Sequence, residues 1–416
     1  MHGSSSEPRE PFSAATEPTE LASRATLIVG QSGGPTAVIN GSLAGVIEAA
    51  GRSPEIGRIL GMRGGIEGLL ENDLVDLSGF DGKSLDALAE TPGSALGACR
   101  RRISDEEADD AIARLQDAEA RYLCYIGGND SADTTHRIAS AAWSRRYELA
   151  AVAVPKTIDN DLPETDHCPG FGSIARYVAT AALETSLDTR SLPRTYPIKI
   201  LEVMGRDAGW VAAASALARQ DDAMGPHLIY VPEHPFETDR FLTAVREVHR
   251  DLGYAVVVVA ETVKDRSGQP VARDIATTDS FEHPIVRGTA EAMVRVVEQE
   301  LGLVARADRP GTLQRSSAAL RSSVDLAEAR LVGVAAVEAA VAGAGDIMIT
   351  LHRVGNDPYA VETSRADLGL IANRVRTLPD DFLAEDRTQV SSAFRDYAMP
   401  LLGPDPFPEI TLMGKS

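Results

Sequence analysis

Five short runs of almost wholly apolar residues constrain the fold of this chain more than any other feature. They occupy residues 25–29, 122–126, 151–154, 198–203 and 255–259. Apolar runs of this length that lack polar alternation are typical of strands buried on both faces of a parallel sheet. Amphipathic stretches between them, such as 105–120 and 239–252, favour helices that cover the sheets. These observations predict an α/β protein with two doubly wound, Rossmann-like domains and parallel sheets.

Charge limits the partners that such a chain can bind. Its 416 residues, enough for two domains, include 41 Lys and Arg against 61 Asp and Glu, a formal net charge of −20. A charge of that sign repels phosphate backbones and anionic lipid, so we expect neither nucleic acid nor a membrane as a partner. A phosphate-bearing ligand must instead be held by a local cluster of arginine or lysine.

The cysteines and the first residues of the chain indicate a compartment. Cys99, Cys124 and Cys168 are too few and too irregularly spaced for a disulfide framework or a zinc site, which suits a reducing cytoplasm. Residues 1–24 are rich in Ser, Glu, Pro and Thr and lack the apolar core of a secretion signal, so we expect a disordered leader. No later stretch reaches the ~18 consecutive apolar residues of a membrane-spanning helix.

Glycine-containing turns follow three of the predicted strands, at Gly30, Gly127 and Gly205. Ligands of open α/β sheets bind at the carboxyl ends of the strands, so we expect the active site at these turns, in the cleft between the two domains. The first turn, GQSGGPTAVIN at residues 30–40, lets backbone N–H groups approach a phosphate at a helix N-terminus. Taken alone it matches neither the dinucleotide fingerprint nor a P-loop, and a tight turn without a ligand remains an alternative.

The loop PKTIDND at residues 155–161 carries the most chemistry. Asp159 and Asp161 lie two residues apart, directly behind Lys156 and Thr157. This spacing puts a base, a candidate Mg²⁺ ligand and a phosphate-binding cation on one loop. The alternative is a polar surface turn rich in Asp and Asn, but such a turn rarely begins straight after a buried strand.

Other turns add one charged residue each. Asp130, in GGNDS at residues 127–131, either faces a metal or phosphate or merely caps the helix that follows. Arg206 and Arg315 both follow glycine-containing turns, and the planar fork of a guanidinium suits a sugar phosphate. Taken singly, a surface ion pair is the commoner fate of either arginine.

Together these turns resemble the phosphofructokinase family over residues 25–343. Six motifs stand in the family's order: Gly33-Gly34 with Asn40, GSALG at 93–97 leading to Arg100, Gly127-Gly128, TIDND at 157–161, MGR at 204–206, and QR at 314–315. An ordered set of this kind is very improbable by chance.

The resemblance implies a role for each matching residue. Asp159 would remove the proton from the sugar 1-hydroxyl, while Thr157 and Asp161 steady the reacting groups. Lys156, Arg100, Arg206 and Mg²⁺ would spread the developing charge, and Asn129 stands at the family's magnesium position. The residues implied for fructose 6-phosphate are Thr157, Asp159, Met204, Gly205, Arg206, Glu261, Arg306 and Arg315, and those for the phosphoryl donor are Gly34, Arg100 and Lys156.

Two departures from the ATP-using pattern indicate the donor. Asp130 and Lys156 stand where ATP-using members of the family carry glycine. The carboxylate of Asp130 would occupy the place of an α-phosphate and so disfavour ATP. Lys156 would add a cation beside the transferring phosphoryl group, and we expect Asp130 to touch and orient it. The pair resembles the pyrophosphate-dependent branch of the family.

The resemblance also implies an assembly, because the arginine that matches Arg306 reaches the sugar phosphate of an adjacent subunit. We therefore expect a homodimer or homotetramer. Residues 25–170 with about 314–365 would form the donor-binding domain. Residues from about 171 to 313, with the C-terminal segment, would form the sugar-phosphate domain.

The sequence therefore predicts a cytoplasmic enzyme that moves a phosphoryl group from pyrophosphate to the 1-hydroxyl of D-fructose 6-phosphate. The reaction would be reversible, would need Mg²⁺, and would give fructose 1,6-bisphosphate and phosphate. One alternative keeps the fold but uses ATP or sedoheptulose 7-phosphate. A second alternative is a catalytically inactive regulator that binds a sugar phosphate.

Overall fold

The computed structural model describes residues 24–404, 406–408 and 410, apart from 273–274, 279–283 and 287. The expected disordered leader, residues 1–24, thus lies outside the described residues except for Arg24. No helix in the described ranges is both long and apolar enough to cross a membrane. Cys99, Cys124 and Cys168 are buried and form no disulfide.

Strands and helices alternate along most of the described chain. The strands are Ala25–Gln31 (β1), Ile56–Met62 (β2), Leu74–Asp76 (β3), Ala120–Gly127 (β4), Ala150–Pro155 (β5), Ile198–Val203 (β6), Leu228–Tyr230 (β7), Ala255–Ala260 (β8), Ile275–Thr278 (β9), Pro284–Val286 (β10), Ala305–Asp308 (β11), Ile347–Asn356 (β12) and Tyr359–Asp367 (β13). The helices are Ile39–Arg52 (α1), Ile66–Leu70 (α2), Gly82–Glu90 (α3), Asp105–Asp117 (α4), Asn129–Ser144 (α5), Phe171–Ser191 (α6), Trp210–Ala214 (α7), Thr238–Leu252 (α8), Thr289–Leu301 (α9), Ser323–Val341 (α10) and Ser392–Ala398 (α11).

The larger sheet has the strand order β13-β12-β5-β4-β1-β2-β3. Its five inner strands are parallel, and β3 and β13 pair antiparallel at its two edges. Leu27 and Val29 pack with α1, α3 and α10 on one face, while Ile28 packs with α2, α4 and α5 on the other. All three side chains are fully buried, which explains why β1 is apolar without alternation.

The second main sheet, called the smaller sheet below, has the order β11-β6-β8-β7, and all of its strands are parallel. Strands β9 and β10 form a separate antiparallel pair. Helices α6, α8 and α9 pack against the smaller sheet. Both sheets are therefore parallel at their centres and covered by helices, which confirms the predicted α/β class. The ligand assigned to each unit, and the domain boundaries, stay predictions.

Helix α4 shows how local sequence sets an element's ends. Ser104 and Glu107 form a capping box, in which each side chain accepts a hydrogen bond from the other's backbone N–H. The expected end at residue 120 is wrong. The helix stops at Asp117, because Glu119 has a φ of +52° and the next residue already begins β4.

Candidate active site

The carboxyl ends of β1, β4, β5 and β6 meet at a cavity of about 320 Å³. This convergence follows from the parallel strand direction, which brings every βα turn to one edge of its sheet. The sequence-predicted residues that line the cavity are Gly34, Arg100, Asn129, Asp130, Lys156, Thr157, Asp159, Asp161 and Arg206.

The loop at residues 157–161 begins one residue after β5 and contains a hydrogen bond between a side chain and the backbone. The N–H of Asp159 donates to Thr157 Oγ1 at 3.1 Å. Asn160, which is fully buried, adopts a φ of +53°. This left-handed residue turns the chain between Asp159 and Asp161, and both carboxylates line the cavity.

The two carboxylates of this loop are buried together. Burial and the like charges of Asp161 and Glu261 raise the pKa of Asp159 well above its ordinary value, against the opposing charges of Arg206 and Lys156. Burial likewise raises the pKa of Asp161, although hydrogen bonds from Thr157 and other groups oppose the rise. A carboxylate whose pKa moves toward neutrality is better suited to accept a proton as a general base.

Three cations converge around Gly34. The ammonium of Lys156, 4% exposed, donates to the Gly34 carbonyl oxygen at 3.0 Å. A Cβ on Gly34 would lie 2.9 Å from a terminal nitrogen of Arg315 and 3.4 Å from one of Arg100. A side chain at position 34 would therefore push these guanidinium groups away from the Gly34 backbone.

Electrostatics around Gly34 favour an anionic ligand. Burial and the charges of Arg100 and Arg315 lower the pKa of Lys156 to about 8. Burial and Arg100 also lower the pKa of Arg315. The Nε of Arg315 is buried without a hydrogen-bond partner among the described residues. Cations that repel one another in a partly dry site are stabilised when a phosphate group enters between them.

Asn129 and Asp130, in the first turn of α5, line another side of the cavity. Asn129 donates from Nδ2 to a carboxylate oxygen of Asp161 at 3.2 Å. Its Oδ1 is buried and has no hydrogen-bond partner in the described part of the chain. Asp130 accepts from Arg102, with N–O distances of 2.9 and 3.0 Å.

The expected contact between Asp130 and Lys156 is wrong. The described residues give Asp130 an ion pair with Arg102, whereas Lys156 donates to a backbone carbonyl. Both side chains line the same cavity, but each is held by a different neighbour. Asp130 therefore does not orient the Lys156 ammonium.

Met204, Gly205 and Glu261 lie at the turns of the smaller sheet and are not among the residues that line the cavity. Met204 donates from its backbone to Gln314 Oε1 at 3.1 Å, and the carbonyl of Gly205 accepts from Thr262 at 3.3 Å. Burial and the charge of Glu202 raise the pKa of Glu261 to about 7, while Arg206 opposes the rise. These contacts bring the turns after β6 and β8 together with the QR motif.

Arg306 lies apart from this cavity. It is an exposed residue of β11, an edge strand of the smaller sheet. Its guanidinium lies over the ring of Tyr196, 3.2 Å from the ring centroid. Within its own chain, Arg306 is not among the residues that line the cavity.

Sequence reasoning missed several lining residues: Arg102, Asp207, Asn373 and Val375. Arg102 and Asp207 lie next to recognised motifs, so the positions of those motifs could have identified both residues. Asn373 and Val375 lie well beyond the last of the six motifs, and no pattern in their own segment marks them.

The residues present fit a hard divalent cation better than a soft one. No group of three His, Cys, Asp or Glu side chains suited to a metal occurs among the described residues. The unpartnered Oδ1 of Asn129 and the carboxylate of Asp161 beside it are oxygen donors of the kind that Mg²⁺ takes. Because Mg²⁺ keeps several waters and binds substrate phosphates, so small a protein donor set is sufficient for it.

Comparison with known proteins identifies the class. Residues 26–340 match the family model described as phosphofructokinase. The chain is 40% identical over 385 residues to a pyrophosphate--fructose 6-phosphate 1-phosphotransferase of Halomonas elongata, covering 91% of this chain and 92% of that one. It is 33% identical to a sulfofructose kinase of Alkalicoccus urumqiensis, covering 86% and 91%.

A solved structure agrees with this assignment. The crystal structure of a pyrophosphate-dependent phosphofructokinase from Marinobacter aquaeolei matches with a TM-score of 0.83 and 38% identity, covering 93% of this chain and 94% of that one. The chain belongs to the phosphofructokinase family. The resemblance noted from its sequence motifs is confirmed.

The pKa of Lys156 predicts a pH dependence. Its ammonium loses its charge as the pH rises through about 8, so affinity for inorganic pyrophosphate should fall across that range. Lys156→Arg keeps a cation at every accessible pH and should abolish the fall. Isothermal titration calorimetry at pH values on either side of this pKa measures both affinities.

The matched control is Lys199→Arg. Lys199 is also buried, but it pairs with Asp308 at 2.7 Å on the smaller sheet. This variant should retain the wild-type fall in affinity. Any effect of the protonation of pyrophosphate itself should be the same in all three proteins. If the affinity of Lys156→Arg for pyrophosphate still falls at alkaline pH as in the wild type, Lys156 does not bind the donor.

Proposed function

We propose that this chain catalyses reversible phosphoryl transfer from pyrophosphate to the 1-hydroxyl of D-fructose 6-phosphate. The observation that carries the proposal is the convergence of Lys156, Arg100 and Arg315 on Gly34, beside the loop that holds Asp159. Such a cluster suits a compact, highly charged donor. The names of the Halomonas elongata and Marinobacter aquaeolei relatives support the same donor.

Phosphoryl transfer needs mainly positioning and neutralisation of charge. In the forward direction the carboxylate of Asp159 accepts the proton of the sugar 1-hydroxyl as that oxygen attacks the donor. Its raised pKa helps it to hold this proton. Lys156 and Arg100 face the phosphoryl oxygens, and Thr157 holds the loop through the N–H of Asp159.

Asn129 and Asp161 would hold Mg²⁺ together with the donor. When bound there, the cation neutralises charge on the phosphoryl oxygens. Asn129 keeps Asp161 in place through its Nδ2 and leaves Oδ1 available for this purpose. In this arrangement Asp159 remains available as the base.

Arg206, with the backbone of Met204 and Gly205, binds fructose 6-phosphate from the smaller sheet. Arg206 lines the same cavity as the donor residues Gly34, Arg100 and Lys156. Glu261 lies near enough for its charge to affect Asp159, and it accepts hydrogen bonds from sugar hydroxyls. Arg315 stands between both ligands, since its guanidinium approaches Gly34 while its neighbour Gln314 holds the Met204 backbone.

Choice of donor follows from charge at the start of α5. The N-terminus of a helix attracts anions, and in this 16-residue helix the carboxylate of Asp130 already occupies that position, paired with Arg102. A nucleotide that brings a further phosphate to the same place meets a like charge. Pyrophosphate, with two phosphoryl groups, has no third one to place there.

A direct assay distinguishes the proposed activity from two other activities. The ATP-dependent alternative and the sedoheptulose 7-phosphate alternative change one substrate each, and the sulfofructose kinase relative adds a third acceptor to test. Initial rates with pyrophosphate and ATP, each against the three sugars, distinguish them. An inactive regulator would bind fructose 6-phosphate and turn over none of these combinations.

The enzyme is further proposed to work in the cytoplasm. Cys99, Cys124 and Cys168 are unpaired and buried, as suits a reducing compartment.

Asp159→Asn tests the base. The amide keeps the shape of the side chain but cannot accept the hydroxyl proton, so kcat should fall by ~10²–10⁴-fold. The dissociation constant for fructose 6-phosphate should stay near the wild-type value. Stopped-assay rates and equilibrium titration measure the two quantities, and near-normal turnover would remove Asp159 from the mechanism.

Asp130→Gly tests the account of donor choice. Removing the carboxylate should raise the ratio of ATP-dependent to pyrophosphate-dependent rate, and adding Lys156→Gly should raise it further by weakening pyrophosphate use. His136→Gly is the control, because it also places a glycine in α5, while the His136 side chain pairs with Asp346 and does not line the cavity. A donor ratio that Asp130→Gly leaves unchanged would refute the electrostatic exclusion of ATP.

The sugar phosphate site is proposed to be completed by Arg306 of a second copy, in a homodimer or homotetramer. Arg306 is exposed on an edge strand, and Val304 nearby exposes 48% of its surface. Each site would then combine Asp159 of one copy with Arg306 of another. Arg306→Ala should weaken fructose 6-phosphate binding and spare the donor.

Subunit mixing tests this sharing. Asp159→Asn and Arg306→Ala samples, each slow at low fructose 6-phosphate, should regain activity when they are unfolded and refolded together, because hybrids contain one intact site. Mixing that restores nothing, or a fully active monomer by light scattering, would rule out a shared site.

A further inference from the structure

The C-terminal segment, residues 368–402, lies beyond the part of the chain that the family model matches. It nevertheless reaches the active site, since Asn373 and Val375 line the cavity. We propose that Arg376 and Tyr397 of this segment are positioning residues, which fix the 157–161 loop so that Asp159 and Asp161 face the substrates. The inference rests on the proposed function in taking Asp159 as the base.

Arg376 binds the loop through its backbone and its whole guanidinium. Its N–H donates to the Asp161 carbonyl at 2.7 Å. Its Nη2 and Nε donate to the Asn160 carbonyl at 2.8 and 3.2 Å. Its Nη1 donates to the carbonyls of Thr165 and Asp166, both at 2.6 Å. One side chain thus joins Asn160 of the loop to residues 165 and 166 farther along the chain.

Arg376 is itself fixed from the smaller sheet. Its guanidinium lies over the indole of Trp210, 4.7 Å from the ring centroid, and the indole N–H donates to the Arg376 carbonyl at 3.1 Å. Trp210 is buried in α7, at 2% exposure. The catalytic loop of the larger sheet is therefore tied to the core of the smaller one.

Tyr397 holds the left-handed residue of the loop. Its hydroxyl accepts from Asn160 Nδ2 at 2.9 Å and donates to the Asp166 carbonyl at 2.8 Å. The other polar side-chain atom of Asn160, Oδ1, accepts from the Cys168 N–H at 3.0 Å. A non-glycine residue with positive φ persists where its surroundings fix it from several sides.

These contacts act on the reacting groups through Asn160, which stands between the two carboxylates. Rotation about its backbone would redirect both Asp159 and Asp161. Because a displacement of about 1 Å can cost on the order of 10²-fold in rate, contacts that fix Asn160 matter for turnover rather than for binding. Lysine cannot replace the arginine here, since its ammonium lacks the planar fork that reaches several carbonyls at once.

The test compares two variants with two matched controls. Arg376→Lys removes the fork, and Tyr397→Phe removes one hydroxyl while retaining the ring that packs on Trp210. Arg395→Lys is the first control, because Arg395 of α11 donates to the carbonyls of Ala216, Leu217 and Arg219, away from the loop. Tyr254→Phe is the second, since its hydroxyl donates to the Ala223 carbonyl.

For Arg376→Lys, kcat should fall by about 10–10²-fold while KM for fructose 6-phosphate stays within about twofold. Tyr397→Phe should lower kcat by roughly threefold to tenfold with the same unchanged KM. The controls should lower the thermal midpoint to a similar extent and leave kcat within about twofold of wild type.

Two results would overturn the inference. One is a kcat within about twofold of wild type for folded Arg376→Lys and Tyr397→Phe. The other is a loss of kcat that the controls reproduce at equal loss of thermal midpoint. If Arg376→Lys does not fold, Tyr397→Phe decides alone by its kcat. A wild-type protein without activity on pyrophosphate and fructose 6-phosphate would instead refute the proposed function.

Discussion

Repulsion among the three cations around Gly34 is the constraint on which the rest of the active site depends. Lys156 is almost fully buried, and burial together with Arg100 and Arg315 disfavours its charged form. A protein selected for stability alone would not gather these groups around Gly34. Their cost is offset when a phosphate group binds, so the unliganded arrangement is prepared for a small anion.

Cations and carboxylates reach the same cavity on neighbouring segments of the chain. Arg100 follows the GSALG motif and Arg315 belongs to the QR motif. Lys156 follows β5 and directly precedes the loop that holds Asp159 and Asp161. Each carboxylate remains close enough for cations to moderate its pKa. The base and the phosphate-binding groups thus share one cavity.

Much of the fold could be predicted from the sequence, because the central strands are buried on both faces and are therefore apolar throughout. Strands β12 and β13 were missed. The second half of β12 and most of β13 alternate between partly buried and exposed residues, so they lack an apolar run. The motifs at the strand ends located most of the cavity. Strand direction alone then brings those ends together.

What sequence reasoning could not supply are the partners of individual side chains. Asp130 pairs with Arg102 rather than Lys156, a choice that depends on how the start of α5 meets the neighbouring loop. Arg376 and Tyr397 reach Asn160 from 216 and 237 residues away in the chain. Their contacts are to backbone carbonyls and one amide, which leave no periodic or compositional trace.

The central claim is that the cation cluster binds pyrophosphate as the phosphoryl carrier. The reverse reaction tests it most directly, by ³¹P NMR of the protein with fructose 1,6-bisphosphate, orthophosphate, ADP and Mg²⁺ in one sample. The account predicts that a pyrophosphate resonance appears as the 1-phosphate signal declines, without formation of ATP. Appearance of ATP in place of pyrophosphate, or no change in the bisphosphate, would contradict it.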